Sequence, residues 1–137
     1  MSELQAILLS WAVTLSGYPA PAQPPTIMSV PSAVLRAAAC GGDPCQVLGW
    51  HPPGRVIYLD DRLDPARDLL AASVLVHEAV HYLQQESGRF GAGHDCASVW
   101  TREIEAYGVQ REFLHRYGVY RPVGLAMMRT ACEEGAP

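Results

Sequence analysis

Lysine is absent from this chain: all ten basic residues are arginine. Alanine, glycine and proline are abundant at the same time, which marks a compositional bias rather than a function. Charge is scarce, at 18% of residues with a net charge of −4, so the electrostatic footprint of a nucleic-acid binder is missing. No apolar run is long enough to span a bilayer, and no internal repeat or low-complexity stretch occurs. Cysteine is sparse as well. Cys40, Cys45, Cys96 and Cys132 are too few and too scattered for a disulfide scaffold, and the expectation is four reduced, partly buried thiols. The turn Cys40-Gly-Gly-Asp-Pro-Cys45 is where a small disulfide loop would close in an oxidising compartment. What is plentiful is core material: 49% of the 137 residues are hydrophobic, enough for one domain spanning residues 1–137.

Residues 4–15 followed by Tyr18-Pro-Ala-Pro-Ala22 have the outline of a signal peptide, but the n-region holds Glu3 and no arginine. Leu4, Ile7, Leu8, Trp11 and Leu15 instead fall at helical spacing, predicting a helix that ends at Gly17 and a cytoplasmic protein. Residues 26–30 read as a short strand and 32–39 as a short helix. Residues 46–50 and 55–59, separated by His51-Pro-Pro-Gly54, read as a β-hairpin. Asp64 then caps a long apolar helix with Pro65 at its first position, running to about Ser87 and buried nearly all round. Two further helices are expected, over 97–117 and 122–133. The outline is α+β: an N-terminal helix and small sheet in residues 1–60, then a helical half in residues 64–137.

The chemistry concentrates on the long helix. His77 and His81 stand at i and i+4, so both imidazoles leave one helix face and can grip one metal ion. Glu78 lies beside the first of them, placed to act as general base on a metal-bound water. All flanking positions from 74 to 83 are uncharged, so these three residues need partners if the helix is buried. A third ligand must come from downstream. The compact HExxHxxGxxH pattern fails, because Gln84 and Ser87 occupy its Gly and His positions. His94 and Asp95 in the glycine-rich loop, and Glu103 and Glu105 in the next helix, are the candidates. Trp100, Glu103, Tyr107, Gln110, Leu114 and Tyr117 advance by three or four and form one mostly apolar face. Glu105 shares a side with Arg102, Val109, Glu112 and Arg116, which reads as solvated. Glu103 is therefore preferred, giving a His, His, Glu set for Zn2+, with Fe or Mn compatible with the same donors.

HExxH with a glutamate on a following helix resembles the gluzincin branch of zinc metallopeptidases. The chain also resembles small uncharacterised bacterial and phage zincin-like proteins, in Gly17-Tyr-Pro19, the run from His77 through Gln84, Cys96, and the Glu103-x-x-Ala106-Tyr107-x-x-Gln110 pattern. The resemblance implies a zincin-like minimal metallopeptidase domain with the N-terminal segment inside the fold, and it favours Glu103. It implies a peptide or protein substrate, cleaved by zinc-activated water with Glu78 as base. Tyr107, one turn beyond Glu103 on the same face, is the candidate oxyanion partner, with His94 and His115 as alternatives. It also calls for an edge strand before the HExxH helix, a position that residues 55–59 occupy. Two features depart from the family: Tyr107 stands where an orienting Asp is usual, and little chain follows His81 to build the far cleft wall. A homodimer or a larger protein partner would supply that wall; no nucleic acid or membrane partner is expected. The alternative is a catalytically silent zincin-scaffold binding or inhibitor protein with a structural zinc.

Trp11, Trp50 and Trp100 read as core or rim aromatics, Met127 and Met128 as packing, and His51 as an exposed turn residue.

Overall fold

The computed structural model describes residues 1–41, 45–93 and 95–125. His94, Met127, Met128, Cys132 and all but the first residues of the helix expected over 122–133 lie outside them. Residues 122–125 form a turn, closed by the Leu125 N–H donating to the Pro122 carbonyl at 3.2 Å. In chain order the elements are α1 (Glu3–Ser16), β1 (Thr26–Val30), α2 (Ser32–Cys40), β2 (Gly49–Trp50), β3 (Val56–Asp60), α3 (Leu69–Ser87) and α4 (Cys96–Arg116). Among the described residues the architecture is α+β: a three-stranded mixed sheet and four helices, the last two long and packed together.

Local chemistry explains most of the boundaries. Ser2 and Gln5 form a reciprocal capping box on α1, and Gly17 ends that helix in the left-handed conformation at φ 80°. The expected start of α3 needs correction. Asp64 and Pro65 open a separate turn, with Asp64 Oδ1 accepting from the Ala66 N–H at 3.1 Å. The helix itself begins at Leu69, capped by Asp68 through the Leu70 N–H at 3.0 Å. Both aspartates carry the same local signal, and the second is the one that meets the core-facing run.

In the sheet the strand order is β1-β3-β2, with β1 parallel and β2 antiparallel to β3. The β2–β3 hairpin is as expected, although β2 is only two residues long. The edge-strand expectation for residues 55–59 is overturned: β3 is the central strand, hydrogen-bonded on both sides, and β2 is an edge. The thiol expectation is overturned too. Cys40 and Cys45 are disulfide-bonded, with Cα atoms 6.5 Å apart, tying the end of α2 to the segment that enters β2. Cys96 is also disulfide-bonded.

The core forms around α3, which packs on α1, α4 and the sheet. Leu75, Val76, Val80, Tyr82 and Leu83 are buried there against Leu8, Ile57, Phe113 and Leu114. Each such aliphatic or aromatic side chain stabilises the fold by about 1.5–3 kcal/mol. A helix buried on nearly every side leaves no solvent for polar groups, yet it carries Ser73, His77, Glu78 and Gln84, all buried. Among the described residues, no helix is long and apolar enough to cross a membrane.

Candidate metal centre

α3 crosses α4 so that His77, His81 and Glu103 converge, their ligand atoms all within 4.8 Å of one another. The two Nε2 atoms are 3.2 Å apart. That separation is close to the edge of a tetrahedron built on metal–nitrogen bonds of about 2.0–2.1 Å. Glu103 Oε1 approaches His81 Nε2 directly and lies 3.6 Å from His77 Nε2.

The hydrogen bonds behind the histidines fix their tautomers. Ser73 Oγ donates its one proton to the Leu70 carbonyl at 2.7 Å, so toward Gln110 it can only accept. The Gln110 Nε2 group must therefore face Ser73, at 3.0 Å, which turns Oε1 toward His77 Nδ1, also at 3.0 Å. An amide oxygen cannot donate, so His77 Nδ1 carries the proton. The same logic holds for His81. Gln84 Nε2 donates to the Arg102 carbonyl at 3.0 Å and to Glu105 Oε1 at 3.1 Å, leaving its oxygen to accept from His81 Nδ1 at 2.8 Å. Both Nε2 atoms are thus the ones turned toward Glu103. Two imidazole nitrogens and a carboxylate aimed at one point form a donor set suited to a cation. The group can hold a metal ion, and its donors do not by themselves select the metal.

In the absence of a metal a proton substitutes for it. Burial disfavours a charged His81, but the Glu103 hydrogen bond and the Glu78 and Glu103 carboxylates outweigh burial and raise its pKa to about 9. Glu103 shows the reciprocal balance: burial raises it, and the two histidines facing it, His77 and His81, hold it well below the usual carboxylate range.

Glu78 sits next to this set without joining it. Its Oε2 lies 3.9 Å from His77 Nε2, and the residue is 7% exposed. Burial pushes its pKa up against the opposing pull of the two histidines, and the His51 N–H donates to its carboxylate. β2 fits tightly over it. A Cβ at Gly49 would come within 2.9 Å of Glu78 Cγ and 3.0 Å of Val74 Cγ1. Tyr107 lines the same cleft, with its ring 4.4 Å from the His77 ring. Burial, then the charges of Glu103 and Glu78, raise its phenol pKa. The turn at Gly124 (φ 79°) lies against that ring, where a Cβ would meet Tyr107 Cγ at 2.2 Å.

All five residues singled out in sequence, His77, Glu78, His81, Glu103 and Tyr107, line one cleft of about 920 Å3. Other expectations change. Glu105 is not on a solvated face: it accepts from Tyr18 and Gln84 and pairs with Arg89. His51 is not an exposed turn residue but lines the cleft, its ring edge-on to Tyr82 at 5.6 Å and its pKa lowered by burial. Asp95 caps α4 through the Ser98 N–H at 2.8 Å, and His94 lies outside the described residues. Gln84, Gln110, Ser73 and Gly49 have roles that the sequence reading did not assign. Gln84 and Gln110 had left a trace, both falling within the motifs that carry the zincin resemblance. Comparison with protein-family models, with curated proteins and with solved structures finds no match for this chain.

Proposed function

We propose that this protein is a zinc-dependent hydrolase of gluzincin type that cleaves peptide bonds. One observation carries the reading: a buried carboxylate, Glu78, is held beside the His77, His81, Glu103 set but outside it. A structural site has no use for such a group, whereas hydrolysis needs a base at that place. Zinc bound there supplies Lewis acidity and lowers the pKa of coordinated water from 15.7 toward about 7.

The chain's own residues supply the rest. Glu78 accepts the proton of the attacking water and delivers it to the leaving nitrogen, and burial, which raises its pKa, favours its holding that proton in between. The Tyr107 hydroxyl donates to the carbonyl oxygen as negative charge develops. β2, the edge strand along the cleft, offers backbone groups to an extended peptide. Residues 1–137 serve as one zincin-like unit in this reading, with a second copy or a larger protein completing the far wall.

The test is metal content by mass spectrometry on protein purified without chelator or affinity metal, wild type beside His81→Ala. About one zinc per chain, lost in the mutant, is expected. A peptide-library digest then compares wild type with Glu78→Gln, which should keep zinc and lose cleavage. No metal after zinc addition rejects the centre. Zinc without cleavage by wild type returns the silent binding scaffold.

A further inference from the structure

Arg102 lines the cleft one residue before Glu103 on α4. Its Nη2 donates to the Gly93 carbonyl at 2.7 Å, and its Cζ stands 5.1 Å from the centroid of the Phe90 ring. Both partners are neutral, so they fix the guanidinium in place without cancelling its charge. Arg89 makes the useful contrast. It approaches the same ring at 4.9 Å, but its charge is taken by Glu105. Arg102 makes no ion pair among the described residues. Among the described residues it is also the one arginine on the cleft wall.

A guanidinium has five N–H donors, and Arg102 spends one of them on Gly93. The remaining fork suits a planar, two-oxygen anion, which it can bind through paired charge-assisted hydrogen bonds. The surroundings strengthen that preference. Trp50, Phe90 and Val123 line the same cleft, and a mostly apolar wall with one oriented polar group is the usual form of a site that fixes a ligand's direction.

We propose that Arg102 makes the cleft a receptor for a carboxylate on the substrate. The proposal rests on the peptidase reading for the kind of molecule involved. In a peptide, that carboxylate is either the chain terminus or an Asp or Glu side chain. A terminal carboxylate beside the centre would make the protein a carboxypeptidase; a side-chain carboxylate would make it selective for acidic peptides.

The experiment uses the full chain, zinc-loaded, with Glu78→Gln in the background to prevent turnover. Affinities are measured by fluorescence anisotropy for labelled Ala-Leu-Ala-Leu-Ala as the free acid, as the neutral amide, and as amides with Glu in place of either Leu. The expected result is that a carboxylate-bearing peptide binds roughly ten- to a hundredfold tighter than the neutral amide. The tighter one names the source. Arg102→Gln, which removes both the charge and the fork, should abolish that preference, so that the acidic peptides bind no tighter than the neutral amide. Arg102→Lys, which keeps the charge but loses the fork, should retain part of it. Equal binding by all four peptides, no measurable binding by any, or a preference that survives in Arg102→Gln overturns the proposal. Zinc content of the same samples reports on the metal separately: a carboxylate preference in protein that takes up no zinc rejects the hydrolase reading and leaves this one standing.

Discussion

Both imidazoles of the centre are oriented by glutamine oxygens, one from α3 itself and one from α4. An amide oxygen fixes the tautomer as a carboxylate does, but it adds no negative charge to the ligand. The absence of an orienting Asp after Glu103 therefore does not leave the histidines loose. Removing such a partner weakens metal binding by about 10–100-fold in comparable sites. Gln110→Leu, close in size, is expected to show a loss in that range by chelator competition; an unchanged affinity would mean that packing alone holds His77. The raised pKa of His81 gives a pH prediction as well. Its ordinary value is 6.5 and its value in the metal-free fold is about 9, so folding favours the proton. That contribution is complete below pH 6.5 and is lost as pH rises through about 9. Metal needs the neutral imidazole, so it should bind more tightly across the same window and level off above it. Thermal melts with and without chelator, from pH 6 to pH 10, check both trends: the metal-free midpoint should fall while the gain from zinc grows.

At the scale of elements, the parts visible in sequence were those that a single helix decides. The i, i+4 pair is local to α3, and the period of α4 alone sets Glu103 on a different face from Glu105. Glu105 shows where that logic ends. Helical period alone puts it on a solvated face, but Tyr18 from beyond α1 and Arg89 from the α3–α4 loop cover it. No pattern within α4 reports what other segments bring. Strand order is the same kind of fact. Residues 55–59 precede α3, yet β1 pairs beside β3, and this leaves the two-residue β2 beside the cleft. Gly49 matters for that reason. Gly49→Ala would force a methyl to within 2.9 Å of Glu78 Cγ. Overpacking of this kind costs about 1–3 kcal/mol. The expected outcome is retained zinc, a lower melting temperature and a drop in cleavage, because Glu78 and not the ligand set is displaced. Wild-type cleavage by this variant would show that Glu78 tolerates the shift.

Over the whole molecule, hydrogen bonds run from the His77, His81, Glu103 group into the elements around it. His81 leads through Gln84 and Glu105 to Tyr18, while His77 leads through Gln110 to Ser73. The segment after α1 thus belongs to the support of the centre. One wall of the cleft is held differently. β2 contributes only two residues of pairing, but the chain just before it is joined to α2 by the Cys40–Cys45 bond. Closing so short a loop is worth about 2 kcal/mol of chain entropy. Breaking it should be felt at Glu78 before it is felt at the histidines. Cys45→Ser, which leaves the bond at Cys96 intact, is expected to lower cleavage and leave zinc in place; simultaneous loss of both would show that the Cys40–Cys45 bond supports the entire fold. The covalent link makes the shape of the cleft depend on the redox state of its surroundings. Where thiols are kept reduced, that wall stands on its own few hydrogen bonds, so preparations handled in reductant and in air would differ in how firmly the cleft keeps its shape.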